Sequence, residues 1–183
     1  DSDVRLGLAS VYLEMGELDR LLRLLNEIEP LVTEDDDLLA YRVLAMLEVG
    51  NLENARQICV AGSHESSQSV VWNHACSRVA FESEDWKSAA SLMEQVYRTD
   101  PNHQLNCYYF GLTARQLGQK QQAQALLNRA IQLDNVNRLA LRLARETDSS
   151  SLQSVPLILE LAAELSDLSR FSEAADWYVL AAR

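Results

Sequence analysis

The stretch Cys107-Tyr108-Tyr109-Phe110-Gly111-Leu112-Thr113-Ala114, with Gly118, Ala123, Leu127 and Ala130 behind it, decides the fold. Within Gln104–Leu117, Cys107, Phe110, Gly111 and Ala114 recur at helical spacing. Gly118 is suited to end that helix, because glycine adopts positive φ at little cost. Ala123–Leu133 then predicts a second amphipathic helix through Leu126, Leu127, Ala130 and Ile131. Upstream, Asp100-Pro101-Asn102 marks a stop and a fresh start, since proline disfavours helix in the residue before it.

The same pattern runs back through the chain. Gly16, Gly50 and Gly118 stand at multiples of 34 residues, and Glu84 fills the remaining place. Five positions after each stand Leu21, Ala55, Ala89 and Ala123, and nine after stand Leu25, Cys59, Met93 and Leu127. Seven before stand Ala9, Val43, Ser77 and Gly111. The small residues fall where two helix backbones must approach closely. A fixed period of this length is the signature of stacked helical hairpins. The units span residues 2–35, 36–69, 70–103 and 104–137. A fifth unit, 155–183, is out of phase, with its turn near Ser169, 51 residues after Gly118. Residues 138–154 read as an insertion: a short helix Arg138–Glu146, then a polar loop Thr147–Ser151. A tolerated surface insertion is the plain reading, and a joint or the lip of a binding site is the sharper one. The chain opens at Asp1 without methionine and stops inside a helical run, so the sequence reads as part of a longer protein.

These residues resemble the tetratricopeptide repeat (TPR) family, whose 34-residue helix–turn–helix carries W-x2-L-G-x2-Y, then A-x3-F, then P. Its second half recurs in Asp85-Trp86 through Ala89 and Met93 with Asp100-Pro101, and again in Phe171 through Ala174, Tyr178 and Ala181. The departures are specific. The tryptophan slot holds Arg5, Leu39, Asn73 and Cys107, and Arg42 stands where leucine is usual. Gly62 replaces the usual alanine and predicts an early end to its helix. The resemblance implies an all-α fold, a right-handed α-α superhelix (solenoid) of about five TPR-like hairpins.

It also implies that the first helix of each repeat lines a concave face. Slot by slot, that face takes Leu6, Ser10 and Leu13, then Ala40, Leu44 and Leu47, from the first two units. His74, Arg78 and Phe81 follow from the third, and Tyr108, Leu112 and Arg115 from the fourth. The last six form the candidate partner-binding set, mixing aromatic, apolar and cationic groups as recognition surfaces do. Beside them runs an acidic column, Glu14, Glu48 and Glu82, continued by Gln116 and by Asp167 in the last unit. A ladder of one sign invites a basic or amphipathic segment, and it reads equally well as a solvated rim. Some family members clamp a C-terminal carboxylate with lysines, asparagines and an arginine. Leu6, Ser10, Tyr41, His74 and Arg78 in the comparable slots do not match, which argues against a chaperone-tail receptor.

Composition agrees with this class. Apolar residues make up 48% of the chain, with only 6 glycines and 3 prolines among 183 residues. Net charge is −11, concentrated in residues 1–64 with 13 acids against 5 bases. Nucleic acid is a poor partner for such a chain, because binding depends on neutralising phosphates. An anionic membrane surface is disfavoured for the same reason, and no apolar run reaches the roughly 20 residues of a span.

Chemistry is thin. The histidines are His64, His74 and His103, and no phosphate-cradling glycine motif is present. His103 and Cys107 could share a helix face, but two ligands make no structural zinc site. Asp35-Asp36-Asp37 lacks the glycine and final glutamate of a calcium loop and reads as a helix cap. Cys59, Cys76 and Cys107 occupy slots of small or apolar residues and read as free core thiols. Their odd number leans toward a reducing, cytoplasmic setting, although nothing names the compartment. The sequence therefore predicts no enzyme, no cofactor and no metal. It predicts a scaffold or adaptor for a protein or peptide, with self-association open. The alternative is a substrate-docking or regulatory arm of a larger enzyme or of a secretion or assembly complex.

Overall fold

A computed structural model describes residues 2–32, 35–62, 69–146 and 155–182. All regular structure among them is helical: α1 (Ser2–Glu14), α2 (Leu18–Glu27), α3 (Glu29–Val32), α4 (Asp36–Glu48), α5 (Leu52–Ala61), α6 (Val70–Glu82), α7 (Trp86–Thr99), α8 (Gln104–Gln116), α9 (Lys120–Glu146), α10 (Val155–Asp167) and α11 (Phe171–Ala181). The chain forms two compact units, Asp1–Ala123 and Gln124–Arg183.

The repeat phase is written in the backbone. Gly16, Gly50, Glu84, Gly118 and Ser169 all have positive φ, between 57° and 77°. Each sits in the same two-bond turn. At the second, Gly50 N–H donates to Leu47 O at 2.9 Å and Asn51 N–H to Met46 O at 2.8 Å. At the third, Glu84 donates to Phe81 O at 3.0 Å and Asp85 to Ala80 O at 2.9 Å. At the last, Ser169 donates to Ser166 O and Arg170 to Leu165 O, both at 2.9 Å. This pairing satisfies the orphan carbonyls of a helix end and reverses the chain. The next helix often starts from a side-chain cap. Asp35 accepts from Asp37 N and Leu38 N, Asp85 from Ser88 N, and His103 Nδ1 from Asn106 N at 3.2 Å.

In the first unit the hairpins bury a graded core. Ala9, Leu21, Leu25, Ile28 and Val32 pack against Leu38 and Ala45 of α4. The opposite side of α4, with Ala40, Val43 and Leu44, packs with Ala55 and with Trp72, Ala75, Cys76 and Val79 of α6. Each fully buried leucine here is worth about 1.5–3 kcal/mol over exposure. Ala55, Ala89 and Ala123 are buried, as close helix approach requires. Arg42, in the slot usually held by leucine, bonds both carboxylate oxygens of Glu29 and donates to Leu25 O at 3.0 Å. It thereby ties α4 to the end of α2 and to α3. Gly62 caps α5. A Cβ there would lie 2.8 Å from Cη2 of Trp72, so the indole occupies the space an alanine would need.

Two expectations are corrected. First, Arg138–Glu146 is no separate helix. The helix that begins at Lys120 runs unbroken to Glu146, burying Leu126, Ala130, Leu133, Val136 and Leu143 along one stripe. No glycine or proline interrupts it, and its apolar spacing continues. The polar loop Thr147–Ser151 lies outside the described residues. Second, Cys59 and Cys76 are not free thiols. They form a disulfide between α5 and α6, with Cα atoms 5.7 Å apart, while Cys107 is a buried thiol outside that bond. The case for a reducing compartment loses its footing, since such bonds persist in oxidising ones.

Candidate functional site

Helices α1, α4, α6 and α8, the first helices of four hairpins in the unit Asp1–Ala123, share one groove. It is lined by Leu13, Glu14, Gly16, Leu18, Leu44, Glu48, His74, Arg78 and Leu105, with a volume of about 440 Å³. The 34-residue period explains the convergence, because stacked repeats bring equivalent slots side by side. Glu14 and Glu48 share one slot, and Leu44 and Arg78 share another.

Of the residues that the sequence offered to a partner, the cation Arg78 and the imidazole of His74 are built into the fold. Arg78 is 9% exposed. Its guanidinium lies 3.9 Å from Glu48, 3.7 Å from Glu82 and 3.9 Å from the centroid of the Tyr109 ring. Phe81 meets that ring edge-on at 5.1 Å and is itself met edge-on by Trp86 at 5.4 Å. Burial raises the Tyr109 phenol, and Arg78 partly opposes the rise. His74 is 4% exposed and stacks against His103 with centroids 4.4 Å apart. Burial first, then the His103 and Arg78 charges, push its pKa down to about 3. Its imidazole is therefore neutral near pH 7. Burial also lowers His103, against the pull of Asp100.

The remaining candidates stand apart from this lining. Tyr108 is 44% exposed and rests edge-on against Tyr109 at 5.3 Å. Arg115 is exposed and Leu112 half-buried. Tyr109 and Leu105 were missed by the slot assignment. Tyr109 shares its slot with Tyr41, which was a usable signal. Leu105 stands at the start of α8 and is 48% exposed, with no counterpart in the pattern that marked it. In the second unit, a smaller groove is lined by Asn135, Arg138, Leu139, Arg142, Glu160 and Glu164. Among the described residues no group of three or more His, Cys, Asp or Glu is arranged to hold a metal. No described helix is long and apolar enough to cross a membrane.

Neither a protein-family model nor a curated protein matches the sequence. Solved structures do match. A MamA structure from AMB-1 aligns with TM-score 0.58 at 13% identity, over 97% of this chain and 95% of its own. A mutant form of MamA aligns with TM-score 0.57 at 14% identity, over 99% and 98%. MamA 41-end from Desulfovibrio magneticus RS-1 aligns with TM-score 0.52 at 15% identity, over 98% and 92%. The chain is similar in fold to MamA. At these identities the likeness is one of architecture, a TPR-like helical solenoid, and it carries no residue-level role.

Proposed function

We propose that this chain is a protein-interaction scaffold that receives a segment of a partner protein in the groove between its first helices. The observation that carries the reading is the lining itself. Four consecutive hairpins contribute side chains to one surface, which mixes leucines with carboxylates. Apolar anchors within a polar border are the usual anatomy of a recognition surface. A non-catalytic role is supported by the two histidines among the described residues: His74 is buried and neutral against His103, and the His103 Nδ1 is committed to capping α8. The test is site-specific photo-crosslinking in a lysate of the source cell. A benzophenone at Leu105, on the groove, should capture a defined protein. The same group at Val60, exposed on α5, should not. Equal capture from both positions would rule the groove out.

A further inference from the structure

The groove has a charge sign, and the sign selects its occupant. Glu14 and Glu48 line it beside one guanidinium, Arg78, which also meets Glu82 of its own helix. That guanidinium cannot serve an incoming anion well. Its side chain is only 10% exposed, it faces two carboxylates, and the Tyr109 ring covers it at 3.9 Å. The carboxylates are in the opposite condition. Glu48 and Glu82 stand 3.9 and 3.7 Å from Arg78, beyond a short hydrogen bond, so their acceptor capacity is largely unused. Glu14 has no cation partner among the described residues and only a 3.4 Å contact from the Ser10 hydroxyl. His74 adds no charge near neutral pH. Leu13, Leu44 and Leu105 line the same groove.

We propose that the groove takes a short basic–apolar segment of a partner: a lysine or arginine received between Glu14 and Glu48, flanked by aliphatic side chains seated on Leu13, Leu44 and Leu105. The proposal rests on the scaffold reading above and specifies the chemistry of its partner. An acidic segment would meet carboxylates in surplus, and like charges brought together suppress binding. The charge of the whole chain, −11, also steers basic segments toward it.

The experiment is fluorescence anisotropy on the intact chain. The probes are fluorescein-labelled short synthetic peptides in which leucines flank a central position occupied by Lys, Arg, Gln or Glu. The Lys and Arg peptides should bind about tenfold more tightly than the Gln and Glu peptides, and added salt should narrow the gap. The double variant Glu14→Gln, Glu48→Gln should erase the preference while leaving residual apolar binding. Leu105→Asp, at a half-exposed position that tolerates a polar group, should remove binding of every peptide. If the Glu peptide binds as well as the Lys peptide, and Leu105→Asp still removes both, the charge assignment is wrong and the groove reading stands. If no peptide shows binding that depends on Leu105, both fall.

Discussion

The guanidinium of Arg78 and the ring of Tyr109 are stacked at 3.9 Å across the junction of the third and fourth hairpins. Phe81 presses on the same ring from the side, and Glu48 reaches the guanidinium from the second hairpin. Three repeats thus meet on one side chain. A cation–aromatic contact of this kind contributes up to about 2 kcal/mol when desolvated. The aliphatic stem of the arginine adds packing of its own.

Arg78→Ala should therefore lower stability by on the order of 2 kcal/mol in urea unfolding. Arg78→Lys should recover part of the loss, because it keeps the charge but not the planar stack. Tyr108→Ala, one residue away on an exposed side chain, should change stability by about 0.5 kcal/mol or less. If Arg78→Ala leaves the urea midpoint unmoved, the arginine is a surface group and the junction is held by other contacts.

The buried His74 makes stability depend on pH. Its folded pKa of about 3 lies below the ordinary value of 6.5, so the unfolded chain binds the extra proton. Its stabilising effect is complete above about pH 6.5 and is lost as pH falls toward 3. The slope is about 1.4 kcal/mol per pH unit for a single group. His103 shifts in the same direction through burial. Glu29, held low by Arg42, and Glu173, held low by Arg170, add loss only at lower pH, below the carboxylate value of 4.5. Thermal melts should thus fall already between pH 6.5 and 5. His74→Gln should make that interval shallower, leaving the part His103 contributes. It should also reduce the drop between pH 4.5 and 3 to the share of the carboxylates. An unchanged slope in the variant would place the proton elsewhere.

The period of the chain was legible because backbone geometry imposes it. A turn that needs positive φ recurs every 34 residues through Gly118, and the phase located Glu84 although it is no glycine. Ser169, out of phase, was located by the helix pattern that follows it. The caps were legible for a similar reason, since Asp35 precedes a helical run and its carboxylate accepts from the N–H groups of that run's first turn. Side-chain depth was not legible. Arg78 shares its slot with Leu44, and nothing in the spacing tells that the arginine folds under Tyr109 instead of facing solvent. The unbroken α9 was missed because the expected repeat length was imposed on a stretch that contains no helix breaker. Cys59 and Cys76 were missed as a pair because they lie 17 residues apart, half a repeat, in slots that packing alone explains.

That pair carries the third prediction. Closing a loop of this length contributes roughly 3 kcal/mol through the unfolded state. Reduction should lower the melting temperature, and the double variant Cys59→Ser, Cys76→Ser should match the reduced protein and no longer respond to reductant. The thiol count checks the pairing directly. Of 3 cysteines, only Cys107 stays a thiol, and it is buried. Native protein should resist alkylation, denatured protein should take one label per chain, and denatured and reduced protein should take three. Three labels without reductant would show that the bond is absent.

The five turns allow the repeat register to be tested by exchanging residues between equivalent slots. Positive φ costs an ordinary residue about 1–2 kcal/mol, and glycine avoids that cost at the expense of a more disordered unfolded chain. Gly50, at φ 77° with nothing near its missing Cβ, has conformational strain as its only penalty for substitution. Gly50→Ala should destabilise by about 1 kcal/mol. Glu84 has φ 57° and stands exposed in the same turn, so Glu84→Gly should raise stability by about 0.5–1 kcal/mol. Ser169→Gly should do the same for the pair α10 and α11. Gly7, inside α1 with normal φ and open space around it, is the control. Gly7→Ala should stabilise, because alanine is the better helix former by about 1 kcal/mol. The opposite signs at Gly7 and Gly50, read from urea midpoints, separate the turn slot from a generic response to losing a glycine. If Gly50→Ala is neutral and Glu84→Gly destabilises, the turns do not share one geometry, and the 34-residue register drawn through them is wrong.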